Sequence, residues 1–359
     1  MKKGRLLAWQ FALSLVALPA WAQDAQPLPA MGANLSQVSV SGISSGGFMA
    51  AQLATTYSAT FMGVGVIAAG PYFCAGTYRS ITFLQNATTT CMTPASPAVA
   101  ADGSQSWRNA QQFSSEQKID PVNNLARQRV YIFSGSNDTT VKTVVVDQVA
   151  KYYQLAQVPS TNIVYNNTTV AGHSIVTARP SDVVCAITAA PYINDCGFTQ
   201  SQVLLKHIYP GAAQQPAAYP SQATLRFSQR EFIKGTRTSM DDSAYAYIPA
   251  ACQRSSCAVH VALHGCEQGA AVIGDRFYNG TGYNEFADAN NMIILYPQVR
   301  PSNGIPPNPK GCWDFWGYSS EDQSQPTFYT RDAPQMKAIM AMIARLAQPR
   351  PVIASSTQP

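Results

Sequence analysis

Between Val38 and Ala50 the sequence changes character twice. Val38-Ser39-Val40-Ser41 alternates apolar and polar residues with the period of a strand. Gly42-Ile43-Ser44-Ser45-Gly46 then gathers small residues into a turn, and a helical run starts at Gly47 and continues to Tyr57. Glycines stand two residues before and two residues after Ser44, so strand and helix can pass close together without a Cβ between them. Ser41 and Ser45 lack that symmetric flanking. A strand that ends in so tight a turn and feeds a helix demands a layered architecture, with the helix lying back over a sheet.

The rest of the chain supplies the other strands. Before residue 208, β-rich runs at Val38–Ser41, Met62–Ala68, Arg129–Phe133 and Asn162–Tyr165 alternate with helical stretches at Gly47–Tyr57 and Lys142–Leu155. That alternation predicts βαβ units and a parallel sheet. Residues 208–222, rich in Pro, Ala, Gln and Gly, read as a connector. Beyond it, strands are expected at Thr224–Ile233, Ala244–Ile248, Ala258–Leu263 and Met292–Tyr296, with a helix at Ala333–Leu346. These look like the missing half of the same sheet. No repeat, heptad or charged tract divides the chain, so residues 23–359 are expected to form one domain.

A serine hydroxyl is a weak nucleophile unless it is held at a strained turn, beside a base and beside donors for the developing oxyanion. Ser44 is the candidate. The acid should follow a later strand, and Asp138 lies in the polar turn after Val130-Tyr131-Ile132-Phe133; standing alone it would read as a turn aspartate capping the next helix. Only four histidines are present. His260 lies in an apolar strand, His264 precedes a glycine turn, and His207 sits beside Lys206 ahead of the connector, which leaves His173 as the base. The order Ser44, Asp138, His173 is that of the α/β hydrolases, and chymotrypsin-like and subtilisin-like chains do not share it.

Only 15 residues, 23–37, lie between the expected leader and the Ser44 strand, too few for the strands and oxyanion loop that belong there. Ala262-Leu263-His264-Gly265-Cys266-Glu267-Gln268 follows an apolar strand as such a loop should. The backbone N–H groups of Ser45 and Cys266 are then the expected oxyanion donors. The fold class is therefore α/β: a circularly permuted α/β-hydrolase fold, with a central, mostly parallel sheet flanked by helices and its first strands supplied by the C-terminal half.

Export is the expected context. Residues 1–22 open with Lys2, Lys3 and Arg5, continue through an apolar run from Leu6 to Leu18, and end in Ala20-Trp21-Ala22. This is the order of a signal peptide, with Gln23 as the new N-terminus. The run is too short to span a bilayer comfortably, and no later stretch is long and apolar enough. Three units of the formal charge of +5 lie in that segment, leaving about +2, and no basic cluster marks a nucleic-acid partner. Eight cysteines in an oxidising compartment imply disulfides, and sequence leaves 105 pairings open. The expected set is Cys74–Cys91, Cys185–Cys196 and Cys252–Cys257, which close short loops, and Cys266–Cys312, which joins two candidate site segments. Zinc is the rival reading, against which stand the lack of paired C-x-x-C knuckles and the few histidines.

Taken together, the elbow Gly42–Gly47, the loop Leu263–Gln268, the segment Gly311-Cys312-Trp313-Asp314-Phe315-Trp316 and their permuted order resemble the single-domain poly(3-hydroxybutyrate) depolymerases. The resemblance spans about Leu35 to Ala347. It implies hydrolysis of short-chain polyhydroxyalkanoate esters through an acyl-Ser44 intermediate, with His173 moving the proton, Asp138 orienting the imidazole, and no metal or organic cofactor. The implied partner is a polyester granule or film; no nucleic acid and no membrane span are expected, and the protein is expected to be an exported monomer, extracellular or periplasmic. Many secreted members carry a separate polymer-binding module, whereas here Gln348–Pro359 follow the last helix. Adsorption is then expected of the catalytic face, with Trp313 and Trp316 as substrate-binding residues and Tyr296 and Tyr318 beside them. Two rival readings are a feruloyl or acetyl-xylan esterase and a catalytically silent polymer-binding protein.

Overall fold

The computed structural model describes residues 25–212 and 214–351. The expected signal segment 1–22, the expected start at Gln23 and most of the tail after Gln348 lie outside them. Among the described residues no helix is long and apolar enough to cross a membrane.

Eleven strands are present among the described residues: β1 Val38–Ile43, β2 Phe61–Ile67, β3 Arg129–Phe133, β4 Ile163–Asn166, β5 Ile175–Thr177, β6 Val183–Val184, β7 Ile193–Asp195, β8 Leu225–Ser228, β9 Ser243–Tyr247, β10 Ala258–Leu263 and β11 Met292–Tyr296. The longer helices are α1 Ser45–Thr56, α2 Gly103–Ser115, α3 Thr143–Leu155, α4 Gln200–Ile208, α5 Tyr283–Asn290 and α6 Pro334–Ala347. Eight strands form one sheet in the order β4-β3-β2-β1-β10-β11-β9-β8. All neighbours are parallel except β11–β9 and β9–β8. Read with the C-terminal half first, the strands run in spatial order apart from the exchange of β10 and β11. The chain is thus permuted at the level of the sheet, and β1 lies at the seam, with Ser41 opposite Ala262 of β10 and Gly65 of β2.

The period of two in β1 decides what each face meets. Val38 and Val40 enter a core shared with Phe48 and Leu53 of α1, Val145 and Val149 of α3, and Ile339 and Met342 of α6. The opposite face is covered by Leu204 and Leu205 of α4 and Phe286 and Ala287 of α5. The serines of β1 point that way, and both bond His260 of β10: Ser39 Oγ lies 2.6 Å from Nδ1 and Ser41 Oγ 2.7 Å from Nε2. Residues 31–33 also meet the end of α6: Met31 N and Ala33 N donate to Leu346 O at 3.0 Å, and Gly32 N to Gln348 O at 2.8 Å.

Most expected elements appear within a residue or two. The strand expected over Thr224–Ile233 is an exception and stops at Ser228. Gln229 turns into the helical region and its buried amide donates to Asp241 O and Gln298 O, which ends the ladder and starts a 3₁₀ turn at Arg230–Phe232. A second, three-stranded sheet, β5-β7-β6, sits between β4 and α4 in the chain, stapled by Cys185–Cys196.

Candidate active site

Ser44 occupies the turn between β1 and α1 with φ 55° and ψ −124°, a strained backbone for a residue with a side chain. The flanking glycines are needed for space. A Cβ on Gly42 would lie 2.2 Å from Gly46 O, and one on Gly46 would lie 2.4 Å from His264 O. The first glycine therefore lets α1 fold back over β1. The second lets the elbow touch the end of β10.

Asp138 follows β3 and is fully enclosed. Its Oδ1 accepts from Thr140 N at 2.8 Å and Val141 N at 3.0 Å, and its Oδ2 lies 2.8 Å from His173 Nδ1. One carboxylate oxygen thus closes the turn and the other meets the imidazole. His173 precedes β5, and its own N–H donates to Thr188 Oγ1 at 2.9 Å. Its ring Nδ1 is turned to Asp138, which leaves Nε2 for the cavity of about 180 Å³ that Ser44 and His173 both line.

Gly265, Cys266, Glu267 and Gln268 form the opposite wall. Gly265 N is taken by Gln268 Oε1 at 2.7 Å. Among the described residues the N–H groups of Ser45 and Cys266 have no hydrogen-bond partner. Two free donors, one from each loop, thus stand beside Ser44, which is the arrangement a carbonyl oxygen gaining charge requires. Gln268, to which the sequence gives no role, is buried; its Nε2 donates to Pro191 O at 2.9 Å and Tyr192 O at 3.0 Å. It pins the loop to the small sheet that carries His173. Tyr192, Thr188, Met92 and Lys310, also absent from the sequence-derived set, line the same cavity. Proximity in the chain to His173 or Cys312 was the only signal that pointed to any of them.

The other histidines are occupied elsewhere. His260 is buried in the β1–β10 seam, and burial pushes its pKa down to about 3. Burial likewise pushes His264 down to about 4, while its Nδ1–H donates to Gly265 O at 2.7 Å. His207 Nε2–H donates to Asn162 O at 2.9 Å.

The four disulfides are Cys74–Cys91, Cys185–Cys196, Cys252–Cys257 and Cys266–Cys312, with no free cysteine and no metal-binding cluster among the described residues. The substrate role expected of Trp313 needs correction. Trp313 is 0% exposed and packs its ring 5.5 Å from that of His264, so it has no face to offer a polymer. Trp316 is half-buried between Phe315 and Tyr318, each 4.9 Å away, and neither tryptophan lines the cavity; Tyr296 and Tyr318 are buried too. The reason lies in Asp314. Its carboxylate accepts from the N–H groups of Trp316, Gly317, Tyr318 and Ser319 at 2.6–3.1 Å and curls the segment inward.

No protein-family model matches the chain. It is 41% identical over 326 residues to a poly(3-hydroxybutyrate) depolymerase of Delftia acidovorans, covering 89% of this chain and 61% of that relative. The chain thus spans less than two thirds of the Delftia protein's length. It is 36% identical over 354 residues to a polyhydroxybutyrate depolymerase of Talaromyces funiculosus, covering 95% of this chain and 96% of the relative. Among solved structures, the PHB depolymerase from Penicillium funiculosum matches with a TM-score of 0.77 at 34% identity, over 90% of this chain and 99% of that one. A serine-to-alanine variant of a PHB depolymerase complexed with an R3HB trimer matches with a TM-score of 0.78 at the same identity and coverage.

Proposed function

The chain belongs to the poly(3-hydroxybutyrate) depolymerase family, and from that premise we propose that it is an exported serine esterase that hydrolyses poly(3-hydroxybutyrate) to 3-hydroxybutyrate and short oligomers. Ser44 Oγ attacks the ester carbonyl while His173 Nε2 takes its proton, and Asp138 holds the imidazole in the required tautomer through Nδ1–H. The tetrahedral oxyanion accepts from Ser45 N and Cys266 N. Collapse breaks the C–O bond, and the departing alcohol takes the proton from His173. Water then repeats the sequence on the acyl-Ser44 ester, releasing the acid and restoring the hydroxyl.

One observation carries this reading. Ser44 and an Asp138-bonded His173 share a cavity whose facing loop contributes an unoccupied N–H at Cys266, next to an N–H that Gln268 already occupies. The chain acts as a monomer, residues 23–359 forming the catalytic domain after removal of 1–22. Its bound partner is the polyester itself.

The test is release of 3-hydroxybutyrate from amorphous poly(3-hydroxybutyrate) granules by the purified mature protein, with p-nitrophenyl butyrate in parallel. Ser44→Ala should lower both rates by about 10⁴-fold or more. Cleavage of the aryl ester with untouched granules would remove the polymer from the proposal. Granule hydrolysis that survives in Ser44→Ala would remove the nucleophile.

A further inference from the structure

The cavity that Ser44 and His173 share is also lined by Lys310 and Glu267. Ester hydrolysis there has no use for a cation in the mechanism above, since the oxyanion has two N–H donors and every repeat unit of the polyester is neutral. Nor is the ammonium committed to a structural pair. Lys310 Nζ lies 3.4 Å from Glu267 Oε2, with side chains 64% and 38% exposed, and an exposed pair of this kind is weak. The same Glu267 oxygen also accepts from Tyr192 Oη at 3.2 Å, so the lysine shares its partner.

The backbone beneath Lys310 is fixed by contrast. Its carbonyl accepts from Glu267 N at 2.7 Å, and Cys312, two residues on, is bonded to Cys266. Lys310 is therefore an ammonium with spare donors, held at constant distance from the loop that faces Ser44.

A polyester chain has one charged group, the carboxylate at its end. We propose that Lys310 recognises that carboxylate and makes the enzyme favour cleavage near the carboxyl end of oligomeric substrates, a specificity that rests on the esterase reading above. In any one ester the acyl side leads towards the hydroxyl end of the chain and the alcohol side towards the carboxyl end. The carboxylate at Lys310 thus belongs to the departing alcohol, which takes the His173 proton and leaves as a short hydroxy acid. The longer segment stays on Ser44 as its ester until water releases it. Glu267 competes for the same ammonium and moderates the preference.

The experiment compares kcat/KM for the (R)-3-hydroxybutyrate trimer as free acid and as methyl ester. The ratio of the two is followed at low and high ionic strength in the wild type, Lys310→Met, Lys310→Arg and Glu267→Gln. A wild-type preference for the acid of about three- to tenfold at low salt is expected, carried by KM and shrinking as salt screens the charge. The ratio should collapse to about one in Lys310→Met, persist in Lys310→Arg and rise in Glu267→Gln. Equal use of acid and methyl ester by the wild type, or a preference that survives in Lys310→Met, overturns the proposal. Hydrolysis of p-nitrophenyl butyrate, measured alongside, reports the esterase itself: its absence from the wild type would count against the function, and its presence with a flat ratio against Lys310 alone.

Discussion

Asp138 divides its carboxylate between two tasks, and the division makes its role separable by mutation. Oδ1 closes the turn on Thr140 N and Val141 N, while Oδ2 meets His173 Nδ1. Asp138→Asn can keep the turn bonds with its amide oxygen, but it offers His173 an N–H where an acceptor is needed and so favours the wrong tautomer. The expected outcome is a fall in kcat on p-nitrophenyl butyrate of about three to four orders of magnitude, with the melting temperature little changed. A loss under tenfold would show that the pair is structural. That Ser44, Asp138 and His173 come together was legible because local signals mark each of them: glycine spacing, a turn after a strand, and elimination among four histidines. Trp313 was misread and Gln268 passed over for the opposite reason. Their surroundings are set by contacts distant in sequence, the inward curl around Asp314 and the amide bonds to Pro191 and Tyr192.

At the scale of elements, the strands β1, β3, β10 and β11 could be read from apolar runs bounded by turns, and α6 from its periodicity. The helix α2 could not, because Gly103–Ser115 is largely polar and is held by its Asp102 cap and its contact with α3. Nor could the small sheet, whose strands have two or three residues. The pairing of β1 with β10 was implied only by the missing strands, yet it contains the buried chain Tyr209–Ser39–His260–Ser41–Tyr283, with links of 2.6–2.7 Å. His260 there is neutral, its pKa pushed down to about 3 by burial. The unfolded chain binds a proton at this residue below about pH 6.5 while the folded chain does not, so stability from this source is complete above that pH and falls as the pH drops towards 3. Between pH 7 and 5 the loss is about 2 kcal/mol from His260, and His264, held near 4, contributes a similar amount in the same direction. Carboxylates with lowered pKa, such as Asp102 and Asp242, act only below about pH 4, while Asp314, pushed up by burial, opposes the histidines. The urea midpoint should therefore drop clearly between pH 7 and pH 5. An unchanged midpoint would mean that the seam does not hold its imidazole neutral.

For the whole molecule, the permutation makes a prediction about connectivity. The two halves of the sheet are joined in the chain only through residues 208–222, and this connector is tied to α5 on both sides of its middle: Gln214 N donates to Asn290 Oδ1 at 3.2 Å and Ala217 N to Glu285 O at 2.9 Å. Residues 31–33 are tied to the end of α6 as well, through the bonds from Met31, Gly32 and Ala33 to Leu346 and Gln348. A chain that starts at Pro216, runs to residue 351, crosses a Gly/Ser linker of about ten residues to residue 25 and ends at Gln215 would keep every one of these contacts. Such a linker reaches roughly 15–20 Å. The recut roughly halves the loop closed when β1 meets β10, and a twofold change in loop length alters stability by only about 0.6 kcal/mol. The recut protein should therefore melt cooperatively within a few degrees of the parent and hydrolyse p-nitrophenyl butyrate at a rate within a few-fold of it. A soluble product without a cooperative transition would show that the connector, and not the β1–β10 seam, holds the two halves together.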